Sequence, residues 1–140
     1  MTSETRPERP LPALDDDSAP YWEGMNEHEL RFQRCTACSH VTYLPGPMCT
    51  ACQSFDLEWF ASGGRGTVYS WTVVQHMGHP AFEPPYAVLL VEMEEGPRVL
   101  GQLVAPNRNE WEQLEVGRPV RVVWDESEPE QTFAAFELAG

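Results

Sequence analysis

Cys35-Thr36-Ala37-Cys38 and Cys49-Thr50-Ala51-Cys52, ten residues apart, contain every cysteine of the chain. Each Cys-x-x-Cys pair can turn as a tight knuckle that offers two thiolates to one ion. Four thiolates complete a closed tetrahedral site, which zinc prefers and iron also accepts. The competing readings are a pair of disulfides or four free thiols; a cytoplasmic chain keeps its thiols reduced, which disfavours the disulfides. A closed four-sulfur site has no open position for water or substrate, so the expected ion is one structural zinc per chain. His40 is read as a neighbour of that site or an exposed residue, not a ligand. The intervening residues, with Gly46 and Pro47, make a short hairpin of ribbon type that is too small to fold without its ion, so metal loss is expected to unfold residues 29–60.

Working outward, Met1 to Asp17 is polar, rich in proline and carries Asp15-Asp16-Asp17, the composition of a flexible tail. Ser18 is placed to cap a short helix beginning near Pro20, with Tyr21, Trp22 and Met25 on one face and Gly24 and Asn26 keeping it short. From Glu29 the chain alternates, with Leu30, Phe32 and Arg34 set against Arg31 and Gln33, which predicts a strand into Cys35. Downstream, Ser62-Gly63-Gly64-Arg65-Gly66 reads as a junction, its extra glycine expected only to loosen the turn. Strands are then predicted at 67–75, 86–94 and 98–104, a short helix at 110–115 capped by Asn109 and ended by Gly117, and strands at 119–124 and 132–138. Three strands, a short helix and two strands is the order of a five-stranded OB-fold barrel. The expected architecture is therefore mainly β: a tail at 1–17, a short N-terminal helix and metal ribbon at 18–61, a junction at 62–66 and the barrel at 67–140.

The 140 residues, 41% of them hydrophobic, can bury a real core, but 13 prolines and 10 glycines divide it into short elements. The net charge of −13 works against a phosphate backbone, and the junction and barrel together, 62–140, hold twelve acidic and five basic residues. A nucleic-acid-binding ribbon and barrel remains an alternative only against that sign. All nine basic residues are arginine, which removes Schiff-base and phosphate-loop lysine chemistry. No run is apolar enough for a membrane helix and the first residues lack a signal-peptide core, so a cytoplasmic protein without membrane contact is expected.

No Gly-x-Ser-x-Gly elbow, His-Glu-x-x-His pair or nucleotide loop is present. His76 and His79 lie beside Glu83 and could form an acid–base pair, but exposed loop histidines, or histidines that bind a partner, are the better reading. Glu92, Glu94 and Glu95 read as a solvated strand end. Trp71 and Trp124 read as barrel core in preference to a stacking platform. A self-sufficient small acyl-CoA enzyme, a hydrolase or aldolase, would need a nucleophile or base that these motifs do not supply.

The two cysteine pairs, Glu58-Trp59, the run Ser62-Gly63-Gly64-Arg65-Gly66-Thr67-Val68-Tyr69-Ser70, Pro85-Tyr86, and Leu90-Val91-Glu92 through Glu95-Gly96-Pro97-Arg98 together resemble a known family. It is the family of acyl-CoA-associated zinc-ribbon and OB-fold proteins. The resemblance implies a rubredoxin-like zinc ribbon with Cys35, Cys38, Cys49 and Cys52 as its zinc ligands. It also implies a non-catalytic accessory subunit for a thiolase-superfamily enzyme, either a sterol-carrier-type thiolase or a side-chain aldolase. Such a subunit would help form the partner's acyl-CoA site, in settings such as steroid side-chain degradation, with two copies on a dimeric enzyme. Some relatives are fused to a hydratase-type domain.

Candidate contacts with partner or acyl-CoA are Tyr21, Trp22, Arg65, His76, His79, Phe82, Tyr86 and Arg98. Arg65 and Arg98 are cations beside strand ends, able to meet phosphate or adenine or to form surface salt bridges. The loop Gln75 to Pro85 is longer than hairpin linkage needs and carries apolar residues, so it is expected to work with the Tyr21–Trp22 face. The competing role for Phe82 is a plug in the barrel mouth.

Overall fold

Short alternating runs broken by glycine and proline build two antiparallel sheets. A computed structural model describes residues 8–104 and 108–139. After a helix α1 (Ala19–Asn26) come β1 (Arg31–Cys35), β2 (Val41–Thr42) and β3 (Leu57–Ala61), which form a three-stranded sheet in the order β2-β1-β3. Then β4 (Arg65–Val74), β5 (Tyr86–Met93), β6 (Arg98–Gln102), a 3₁₀ helix (Arg108–Gln113), β7 (Pro119–Asp125) and β8 (Phe133–Leu138) form a curled sheet in the order β6-β5-β4-β7-β8. Its two edge strands meet at a parallel bridge between Leu103 and Phe136, where Val104 N donates to Phe136 O at 2.7 Å. This is the OB-fold expected from the strand order. The short helix lies slightly earlier than expected and is 3₁₀; the proposed Asn109 cap falls outside the described side chains. No helix among the described residues is long and apolar enough to cross a membrane.

One core serves both sheets. Tyr21 and Met25 of α1 and Leu30 and Phe32 of the ribbon pack in a single cluster with Val68, Leu89, Val91, Val99, Val120 and Phe136 of the barrel. Phe32 and Phe136 have no exposed surface. Gly24, read as keeping the helix short, and Gly101, within a predicted strand, are close-packing positions. A Cβ on Gly24 would lie 2.6 Å from the Arg31 side chain that crosses the helix, and one on Gly101 would lie 2.5 Å from the Phe136 ring that closes the barrel. The helix is also tied at its end, where Thr132 N donates to Asn26 Oδ1 at 2.7 Å.

Several expectations need correction. Ser18 stands at the helix N-cap, but its hydroxyl turns back to accept from Asp15 N at 3.3 Å and makes no cap bond. Tyr21 is only 4% exposed, because the helix face read as outward lies on the barrel. Burial pushes its phenol pKa far up. Trp71 is not core but 38% exposed: the bulge between Val68 and Ser70 sets it in register with buried Leu89, but β7 pairs with β4 only from Arg65 to Thr67 and leaves it uncovered. Trp124 does pack half-buried against the core, with His28 stacked on it at 5.4 Å.

Glu95 is more than a solvated strand end. Its carboxylate accepts from Ser62 Oγ and from Gly63 N, both at 2.8 Å, and so clamps the ribbon-to-barrel junction. The extra glycine therefore sits in a pinned turn, with Gly64 at φ +78. Residues 8–14 of the segment read as a tail have no helix or strand, yet Arg9 is anchored. Its guanidinium bonds Asp125 Oδ2 at 2.6 Å and lies over two rings, Phe133 at 4.1 Å and Phe82 at 5.1 Å. Arg9→Ala is expected to cost about 1–3 kcal/mol by losing two cation–π contacts and a part-buried ion pair. Hydrogen exchange should show faster exchange confined to the Gln75–Pro85 amides and β8; unchanged exchange there would mean that Arg9 does not hold the loop.

Candidate metal centre

Each Cys-x-x-Cys pair closes in the same way. Ser39 N donates to Cys35 O at 2.8 Å and Gln53 N to Cys49 O at 3.0 Å, which puts Ser39 (φ 68) and Gln53 (φ 66) in the left-handed region that ends each knuckle. The turns bring four sulfurs within 4.8 Å of one another, with Cys35 and Cys52 Sγ 3.6 Å apart and Cys38 and Cys49 Sγ also 3.6 Å apart. A tetrahedron with zinc–sulfur bonds of about 2.3 Å has edges of roughly 3.8 Å, whereas a disulfide would require about 2.05 Å. The cluster fits one zinc and excludes the disulfide reading.

Backbone amides already favour thiolate at two positions. The Cys52 amide and its neighbour at Ala51 pull the Cys49 thiol down to about 6 and the amide of Cys38 lowers that of Cys35, while hydrogen bonds from the neighbouring sulfurs push the thiols of Cys38 and Cys52 up. Cys35 and Cys49 are buried, while Cys38 and Cys52 face solvent. His40 is no ligand; its Nε2 lies 3.2 Å from Thr50 Oγ1 at the rim. The sequence places Gln33 on a strand face but assigns it no role; its buried amide donates to Gly46 O and accepts from Gly46 N, both at 3.0 Å, and so holds the loop before the second knuckle. The only available signal was a polar residue in a strand that becomes the middle of three.

The proposed contact residues divide. Phe82 is half-buried outside the core cluster, with His79 at 5.9 Å and Tyr86 at 6.1 Å between ring centroids. Trp22 packs on Phe133 at 6.1 Å, so loop and helix are linked through Phe133 and Arg9. His79 Nδ1 accepts from Ala81 N at 3.0 Å, while His76 is exposed. Arg98 is engaged, lying 3.7 Å over the Tyr69 ring with Nε 3.4 Å from Glu92. Arg65 forms no ion pair among the described residues and lines a 620 Å³ cleft with Glu92, Glu94 and Arg121.

Comparison with known proteins agrees with this geometry. The family described as ChsH2, rubredoxin-like zinc ribbon domain, matches residues 22–58, and ChsH2, C-terminal OB-fold domain, matches residues 59–125. A solved structure described as an Ltp2-ChsH2(DUF35) aldolase superposes with a TM-score of 0.83 at 41% identity, covering 93% of this chain and 100% of that one. A probable enoyl-CoA hydratase alpha subunit of Thermomonospora curvata is 43% identical over 133 residues, 94% of this chain and 40% of that protein. The 3-oxo-4,17-pregnadiene-20-carboxyl-CoA hydratase alpha subunit of Mycobacterium tuberculosis is 36% identical over 81% of this chain and 35% of its own length. A DUF35 domain-containing scaffold protein of Pyrococcus furiosus is 34% identical over 74% of each chain. The chain thus spans well under half the length of the two hydratase subunits.

Proposed function

Because this chain belongs to the ChsH2 (DUF35) family of zinc-ribbon and OB-fold proteins, with one structural zinc on four cysteines, we propose that it serves as a non-catalytic subunit of a thiolase-superfamily enzyme. In this reading it helps form the acyl-CoA site of an aldolase or thiolase, with one copy on each protomer of a dimeric enzyme. The observation that carries it is the 41% identity across the whole of a chain solved as part of an Ltp2-ChsH2(DUF35) aldolase. The scaffold name of the Pyrococcus relative supports a subunit that organises chemistry done elsewhere. The pregnadiene-carboxyl-CoA name of the mycobacterial relative supports steroid side-chain acyl-CoA as the substrate class. Matches to two hydratase alpha subunits favour a second reading, in which the same module serves beside a hydratase domain.

The loop Gln75–Pro85 is proposed to face the partner's acyl-CoA, with Phe82, His79 and Tyr86 as one cluster and Arg65 and His76 as exposed flanking groups. Phe82→Ala should weaken acyl-CoA binding by the complex roughly 5- to 30-fold with little change in melting temperature. A core plug would instead lose about 3–5 kcal/mol of stability. The subunit reading itself is tested by affinity purification of the tagged chain from its native host. A thiolase-superfamily protein in stoichiometric yield supports it, and its absence contradicts it.

A further inference from the structure

In an antiparallel sheet with one buried face, the other is usually polar. Strands β4, β5 and β6 depart from that. Their register sets Ser70, Leu90 and Leu100 in one row and Thr72, Val88 and Gln102 in the next, while the alternate residues Ala87, Leu89 and Val91 fill the core. Leu100 is 61% exposed, and it lines a shallow 180 Å³ cleft together with Ser70, Trp71, Thr72, Val88 and Leu90. At its rim Tyr69, 43% exposed, is held flat by the stacked Arg98. Exposed Leu and Tyr on one face, with an ordered Arg beside them, form a surface that gains by losing water. Tyr and Arg are also among the types that dominate interface energetics.

Charge and position choose the occupant. A chain at −13 repels a second copy of itself and attracts a basic partner, while Glu92 and Arg98 at the rim pair with each other, so the fitting surface is apolar at its centre on a protein of net basic charge. The face also runs directly into the loop, since Val88 lies two positions from Tyr86, where β5 leaves it. The face therefore adjoins the loop that carries Phe82 and His79.

We propose that the β4-β5-β6 face centred on Leu100 is where the thiolase-superfamily enzyme docks, through an apolar patch on a net-basic surface; this rests on the subunit reading above. The test uses the full chain and the purified thiolase-superfamily subunit recovered with it. Leu100→Glu and Thr72→Arg, both at exposed positions, should each weaken the complex by roughly 30-fold or more, with zinc content and melting temperature unchanged. Association of the wild-type chain should slow as salt rises. Variants that bind within about twofold of wild type overturn the face and leave the subunit reading standing, as does an association rate indifferent to salt. Failure of the wild-type chain to recover any thiolase-superfamily subunit overturns both. An isolated chain that dimerises, and that Leu100→Glu renders monomeric, gives the face to a second copy and overturns the proposed occupant. Because Thr72 touches no core residue by register, Thr72→Arg keeps the test decisive if Leu100→Glu lowers stability.

Discussion

Stripping the zinc is expected to unfold residues 36–56 while the barrel, α1 and the β1 stem stay folded. Structural zinc in small ribbons contributes on the order of 10–16 kcal/mol, and nothing else of that size holds the knuckles. Around them stand Gln33's bonds to Gly46 and the two-residue strand β2. The stem is different, because Leu30 and Phe32 are sunk in the barrel core. The unfolded segment is therefore shorter than the 29–60 expected of a ribbon standing alone. Cys49→Ser should reproduce it, since Cys49 is fully buried. Hydrogen exchange after chelation is the measurement. Protection lost in the knuckles and kept at Val68, Leu89 and Phe136 is the expected pattern; retained protection across 36–56 would show that the ion is not structural.

Phe32→Ala should be the most damaging single core change, costing about 3–5 kcal/mol. Its ring meets Tyr43 at 6.5 Å and Phe60 at 6.1 Å in the ribbon and also belongs to the cluster that fills the barrel. Truncation therefore loosens both sheets at once. With intact zinc, calorimetry should show one cooperative transition displaced downward by on the order of 10 °C. Two separated transitions, only the lower one displaced, would mean that ribbon and barrel are independent units.

What could be read in the sequence was local. The cysteine spacing specifies the metal centre because each knuckle needs only the four residues it contains, and the alternating runs place the barrel strands to within a few residues. The errors share one physical cause, in that partners distant along the chain decide exposure. Tyr21 has an outward look on a helical wheel until the barrel covers it. Trp71 shares the register of buried Leu89, yet β7 leaves β4 after Thr67 and Trp71 stays uncovered. Glu95 clamps Ser62 across 33 positions and Arg9 meets Asp125 across 116, and neither pairing leaves a periodic trace. Gly24 and Gly101 carry no hint that Arg31 and Phe136 press against them.

Whether the chain is a subunit or a catalyst is decided by turnover of an acyl-CoA aldol or thioester substrate in three samples: the chain alone, the co-purifying thiolase-superfamily subunit alone, and the two at equal concentration. The subunit reading predicts no turnover by the chain alone, little by the enzyme alone, and activity at least about tenfold higher when they are combined, equivalent to roughly 1.4 kcal/mol of barrier. Turnover by the isolated chain at the rate of the mixture, or an enzyme indifferent to its addition, would contradict it.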